Sequence, residues 1–301
     1  MSTRTQIRQA TGDRIFDVIN YFLLGVIFII MTYPILFIIS ASFSDPHTVA
    51  SGQMFLFPKG FTLAGYRKIF AYRDIWIGYR NTIYYTVVQA VISVILTISF
   101  AYPLSRPDFK ARGILTIMIT VTMFFSGGMI PSYLVVKSLN MLDSVWAIIL
   151  PAAISTWNVI ITRTFFQTSI PSELREAASI DGCSNLKFFT KIVIPLSRPI
   201  VAVMALYYAS GRWNSYFSAL IYLTDRSKFP LTLFLRQILI LKDLQGSEVI
   251  SVDPGAFKEQ QMLAGVMKYG IIIVSTIPMM VLYPFIQKYF VKGVMIGSIK
   301  G

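Results

Sequence analysis

Charge is scarce in this sequence. Of 301 residues only 14% are Asp, Glu, Lys or Arg, while 55% are hydrophobic. Soluble domains carry about 25% charged residues, so a soluble globular class is excluded. Cysteine and histidine occur once each, as Cys183 and His47. No intrachain disulfide can form, and neither residue has a metal or redox constellation around it. His47 reads as a solvated loop residue. No G-x-x-x-x-G-K-[ST] run occurs, so the chain cannot cradle ATP in that way. No paired carboxylates and no nucleophile–base motif suggest an enzyme. The net charge of +13 comes from basic residues spread over every loop, which fits flanks of membrane spans beside anionic lipid and not nucleic acid.

What is present is length without charge. Uncharged runs of 27, 25, 24 and 19 residues follow Asp17, Arg80, Arg112 and Asp143, and another of 19 follows Lys268. From Arg198 to Asp225 only Arg212 interrupts. A helix needs roughly 20 apolar residues to cross the hydrocarbon core, where lipid offers backbone groups no partner. The expected fold is therefore all-α and polytopic, with six spans near 18–42, 81–104, 113–135, 144–165, 193–222 and 267–289, forming one membrane domain over 1–301. The first apolar stretch far exceeds a signal-peptide core and no small-residue cleavage site follows, so it is expected to stay as a span.

An even number of spans puts both termini on one side. If that side is cytoplasmic it holds fourteen Lys/Arg against eleven outside, the latter mostly in two long loops. Long loops obey the positive-inside rule poorly, so cytoplasmic termini are preferred. The long polar loops are 43–80, with SDPHTVASG as turn and PKGFTLAGYRKIF as a short amphipathic piece, and 223–265. Lys268 marks the edge of the last span, which runs into a basic tail. In the third span Gly127, Gly128 and Pro131 weaken the helix; a packing kink and a gate are both open.

Between spans four and five lies PSELREAASIDGCSNLKFFTKIVIPLSRP, residues 171–199. Pro171 ends what precedes it and Ser172 is expected as N-cap. Glu173 and Glu176 suit the first turns of a short helix and share a face with Ala177. Ala177 and Ala178 leave that surface low enough for another protein to come close. Gly182 is the expected left-handed C-cap, Ser184 a second cap, and Phe188 and Phe189 anchors onto the membrane domain. On the residues alone, a docking bracket and an ordinary interfacial helix both stand.

The pattern Glu176-Ala177-Ala178, then Gly182, then Ile192 and Pro195 resembles the signature loop of ATP-binding-cassette importer permeases. Asp181 before Gly182 and PLSRP after it resemble the carbohydrate-uptake branch, and Ile194 stands where Leu is common. AYPLSRPDFKARG, GGMIPSYLVVKSLNMLDSVWAIILP and WNSYFSALIY agree. The resemblance covers essentially the whole chain and is closest to the maltose-type second permease, complex-oligosaccharide subgroup.

That resemblance implies a type I ABC importer fold in which 171–195 is the coupling loop, with Glu173, Glu176, Ala177, Ala178, Asp181 and Gly182 meeting an ATPase. It implies a homologous permease as partner in a heterodimer, two ATPase subunits carrying ATP and Mg, an extracellular sugar-binding lipoprotein and an oligosaccharide substrate. This chain would hold no cofactor of its own and no metal, and would lie in the cell membrane. Arg212, the one charge inside span five, should face protein or water. With Trp213, Asn214 and Tyr216 it either lines the sugar pathway or snorkels to the interface. In the pathway it would admit an anionic, uronate-bearing sugar. The alternative class is an ion-coupled secondary transporter. It would want acids inside the spans and inverted repeats, and neither is seen.

Overall fold

A computed structural model describes residues 11–243, 265, 267–284 and 287, and every regular element among them is helical. Parts of the second long loop and the basic tail expected after the last span lie outside the described residues. The described residues fall into two compact units, one within 1–71 and 238–275, the other within 72–237 and 276–301.

In the first unit α1 (Thr11–Ser42) is 32 residues long. That is about 48 Å at 1.5 Å per residue, more than enough for a hydrocarbon core of about 30 Å. Its side chains from Ile15 to Met31 are almost all exposed, a surface suited to lipid. The SDPHTVASG stretch is more ordered than the turn expected of it. Pro46–Ala50 make a one-turn helix, α2, because the Asp45 carboxylate accepts from the His47 and Thr48 N–H groups. The amphipathic piece is helix α3, Ala64–Ala71. Phe43 stacks on Phe61 and tilts against Tyr66, with centroids 5.8 and 5.2 Å apart, and the Tyr66 hydroxyl donates to Ser42 Oγ at 2.9 Å.

The second unit is built round α4 (Arg73–Ser105), 33 residues long. One face of α4 is polar and buried: Thr82, Thr86, Gln89, Ser93 and Thr97 recur every three or four residues. Small polar side chains let backbones approach and bond across helices, so this stripe is a packing seam. The opposite face carries the exposed Ile83, Val87, Val91 and Ile95. The helix is thus apolar toward lipid and polar toward protein.

The expected third span is not one helix. α5 (Arg112–Phe124) and α6 (Met129–Ser138) are bent by 113° at the FSGG break. Phe125 is extended and Gly128 takes φ 83, a left-handed value that suits a residue without Cβ. At 13 residues α5 reaches only about 20 Å, too short to cross alone. The fourth span is also broken, by 50°, between α7 (Val145–Ile149, prolonged by one 3₁₀ turn to Ala152) and α8 (Thr156–Ser169). After α8 come α9 (Ser172–Ile180), α10 (Asn185–Phe188) and α11 (Ile194–Leu196), then α12 (Arg198–Asn214). A π turn at Phe189–Val193 precedes α11. Pro195 has no N–H for the Lys191 carbonyl and its ring crowds that oxygen, and the widened turn accommodates it. The chain from Asn185 to Leu196 meets α12 at 77°. The fifth span expected at 193–222 therefore divides, with α13 (Phe217–Tyr222) separate after an extended Ser215. α14 (Leu231–Asp243) follows, and the last described helix, α15, covers Met267–Pro284. Among the described residues, three helices alone, or up to six spans if each bent pair counts as one, are long and apolar enough to cross a membrane.

Candidate functional site: the bracket between α8 and α12

α9 begins one residue earlier than its chemistry suggests. Pro171, extended at φ −61 and ψ 142, takes the N-cap place and makes no side-chain cap bond; the expected cap, Ser172, is already helical. Pro suits this boundary because it has no N–H to leave orphaned and cannot continue the preceding helix. The far end is as the turn chemistry requires. Gly182 adopts φ 69. Its N–H reaches the Ser179 carbonyl at 3.1 Å and the Cys183 N–H reaches Ala178 O at 2.9 Å, the paired bonds of a Schellman motif. Asp181 is the exposed C-cap. Ser184 Oγ then accepts from the Lys187 N–H, as expected of a second cap.

The helix turns one face outward. Glu173, Glu176, Ala177 and Ile180 are exposed, at spacings of three, four and seven. Ile180 is 87% exposed, and Leu186 on the next turn is 72% exposed. The two alanines part company. Ala177 lies on the open face, but Ala178 is only 8% exposed and belongs to a core with Ile98, Ala101, Leu104, Phe166 and Phe188. Successive helical residues differ by about 100°, so Ala178 cannot share the outward face of Ala177. Ala178 thus belongs to the buried core, not to the low surface expected from the sequence. The aromatic anchors hold: Phe188 is buried, and Phe189 stacks on Tyr102 with centroids 4.7 Å apart.

A polar clamp that the sequence reading missed ties this bracket to the turn after α4. Asp108 receives both arms of Arg106, at 3.0 and 2.5 Å, and Arg175 Nη1 at 2.6 Å. Arg106 Nη1 also donates to Asn185 Oδ1 at 2.7 Å. The Arg106 guanidinium beside it holds the Asp108 carboxyl far below the usual carboxylate range, and the Arg106 pKa is raised in return. Arg163 Nε caps the end of α4 through the Leu104 carbonyl at 3.0 Å. The segment R-P-D-F-K-A-R, a salt-bridge-capable turn, was the visible signal; its partner lies 67 residues away. A cleft of about 490 Å³ runs beside α9, walled by Arg106, Arg112, Arg175 and Glu173 among others.

The second group of expected site residues is dispersed. Arg212 is 8% exposed and Trp213 6% exposed. Arg212 does not snorkel; its guanidinium is held inside the protein by three hydrogen bonds. Nε donates to Gln89 Oε1 at 2.6 Å, Nη2 to the Ile148 carbonyl at 2.9 Å and Nη1 to Ser218 Oγ at 3.1 Å. It therefore joins α4, α7, α12 and α13. Trp213 lies against Tyr79, with centroids 6.4 Å apart. Asn214 and Tyr216 are exposed; Asn214 Nδ2 bonds the Ser210 carbonyl at 2.9 Å and Tyr216 carries the Arg236 guanidinium over its ring at 5.7 Å.

Residues 75–296 match the family described as the binding-protein-dependent transport system inner membrane component. Protein LplC of Bacillus subtilis (strain 168) is 43% identical over 290 residues, 96% of each chain. The polygalacturonan/rhamnogalacturonan transport system permease protein YtcP of the same organism is 43% identical over 289 residues, 96% of this chain and 99% of that one. Among solved structures, a chain of a bacterial ABC transporter involved in the import of the acidic polysaccharide alginate superposes with a TM-score of 0.82. It is 34% identical, and the match covers 95% of this chain and 100% of that one.

Proposed function

This chain belongs to the binding-protein-dependent transport system inner membrane components, and from that premise we propose that α9 and the turn behind it receive the stroke of a separate ATPase. The chain is a membrane permease subunit of an ABC importer for oligosaccharides. The observation that carries the coupling reading is the outward face of Glu173, Glu176, Ala177 and Ile180. It joins acid, minimal bulk and an apolar tip in one patch, which suits a cleft lined by basic and apolar groups in a partner. ATP and Mg belong to that partner, since this sequence has no phosphate loop.

The proposed assembly has this permease, a homologous second permease, two ATPase subunits and an extracellular sugar-binding lipoprotein. The permease domain runs over 1–301 with six spans, counting each bent pair as one, and both termini on the cytoplasmic side with α9. The substrate is read as an acidic, uronate-bearing oligosaccharide. Two similarities support this: one relative is named for polygalacturonan and rhamnogalacturonan, and the structural neighbour serves alginate import. Of the residues expected on the pathway, Asn214 and Tyr216 are the exposed pair offered to sugar, while Arg212 and Trp213 hold the wall behind them.

The test is Glu176→Lys in the complete transporter, reconstituted with its ATPase and binding protein. Sugar uptake should fail while the permease stays folded, and ATP hydrolysis should no longer respond to sugar. Normal assembly together with normal uptake would remove α9 from the coupling role.

A further inference from the structure

Two kinds of contact hold α9 against the rest of its unit, and they resist different forces. The first is apolar. Ala178 and Phe188 pack among Ile98, Ala101 and Leu104, so pressing α9 inward meets close-packed atoms. Apolar contact is non-directional and offers little specific resistance to withdrawal along the surface. The second is the clamp. Asp108 binds Arg106 through two parallel bonds and Arg175 through a third, and Arg106 grips Asn185. Such forked, charge-assisted bonds have fixed direction and resist being pulled open.

Covalent linkage ties α9 to α4 only indirectly, through α8, which packs on α4. α9 continues directly into α8 at one end and into α10 at the other, but Asp108 stands 67 residues from Arg175 and Arg106 stands 79 from Asn185. The clamp is the polar tie, among the described residues, from α9 and α10 to the turn leaving α4. Both α8 and α12 pack on α4, so whatever moves α4 moves the unit.

We infer that Asp108 is a positioning residue that transmits the outward pull on α9 to α4, so that the transport unit follows the ATPase on the return half of its cycle as well as on the closing half. This rests on the coupling role of α9 proposed above. A half-exposed ion pair contributes little to stability, about 0–1 kcal/mol, so its loss should spare the fold. Asp108 is 48% exposed, consistent with a tie whose worth is geometric.

The experiment measures sugar taken up per ATP hydrolysed by the complete transporter in proteoliposomes, for Asp108→Asn, Asp108→Glu, Arg175→Gln and the double variant Asp108→Asn/Arg175→Gln. Co-purification of the ATPase and the melting temperature are followed alongside. Asp108→Asn should keep its ATPase, melt within a few degrees of the parent and hydrolyse ATP, while uptake per ATP falls about fivefold, the effect of losing roughly 1 kcal/mol of coupling. Asp108→Glu should recover at least half of the ratio. Arg175→Gln should reproduce the loss, and the double variant should be no worse than either single one. An unchanged ratio in Asp108→Asn overturns the inference, as do losses that multiply in the double variant or a failure of Asp108→Glu to rescue. If Asp108→Asn does not fold, Arg175→Gln decides alone by the same ratio. Loss of the ATPase from Asp108→Asn would mean the residue builds the docking face, which also overturns a transmitting role. The docking reading itself stands or falls separately, on Glu176→Lys.

Discussion

Arg212→Met separates a structural guanidinium from one that meets sugar. The substitution keeps much of the side chain's length and apolar stem but removes three donors, leaving Gln89 Oε1, the Ile148 carbonyl and Ser218 Oγ without that partner. In water-soluble proteins hydrogen bonds to charged groups contribute about 1.5–3 kcal/mol each, whereas polar pairs between membrane helices average about 0.6 and reach about 1.7. Three of them, made by one buried cation, amount to roughly 2–5 kcal/mol. The cost of holding a cation at depth, about 2.5–3.5 kcal/mol on insertion scales, applies to the separated helices as well and largely cancels. The assay is thermal unfolding of the purified transporter in detergent, together with uptake of one neutral and one uronate-bearing oligosaccharide. Melting should fall by several degrees, at about 2 °C or more per kcal/mol for a chain of this size. Uptake of both sugars should decline together, in step with the folded fraction. Arg212→Lys, which keeps the charge but loses the fork, should fall between the parent and the Met variant. An unchanged melting temperature with selective loss of the anionic sugar would refute the wall assignment and return Arg212 to the pathway.

Other outcomes follow from the same structure. At Gly78 an added Cβ would meet Leu231 Cα and Phe234 Cδ2 at 2.9 Å, the former backbone and unable to yield. Gly78→Ala should therefore cost about 1–3 kcal/mol of stability, read as a lower melting temperature; a parent-like value would show that the α4–α14 seam can open. Asp143 accepts the Asp225 and Thr224 N–H groups, each at 3.0 Å, and these bonds hold its carboxyl below the ordinary range. With a folded pKa below the unfolded value, its stabilisation is complete above about pH 4 and fades as pH falls through the folded value. Melting temperature should thus hold level from pH 8 to pH 5 as far as this group is concerned, and Asp143→Asn should lower that plateau while flattening the fall below pH 4.

The sequence made the long, charge-free helices legible because crossing a membrane leaves a signature in composition alone. α1 and α4 stand where uninterrupted apolar runs put them, merely longer. The breaks were harder. Gly127-Gly128 announced weakness in the third span, but a 113° turn differs from a kink only in backbone dihedrals that composition does not state. Gly182 was readable as a left-handed cap because a turn needs that conformation wherever the helix sits. The division of Ala177 from Ala178 was also available from helical spacing, since Glu173 and Glu176 already set the outward face. What could not be read were the distant partners. Arg212 and Gln89 lie 123 residues apart, and nothing in either neighbourhood names the other. The same holds for Asp108 and Arg175. Asp45 shows the local case: its carboxylate converts an apparent turn into a helical one by bonds to its nearest successors.

The bonds along α4 act as teeth on a rack. Asn81 engages the Ser227 and Phe229 carbonyls, Gln89 the Ala152 carbonyl and Arg212, and Thr97 the Tyr208 hydroxyl, which also takes the Ser155 N–H. They are spaced about two turns apart, over some 24 Å of helix axis. Sliding α4 past α12 by a single notch would unseat the Gln89–Arg212 and Thr97–Tyr208 teeth together, whereas swinging both together unseats neither. So meshed, α4 and the segments it engages resist slipping past one another and are geared to turn together.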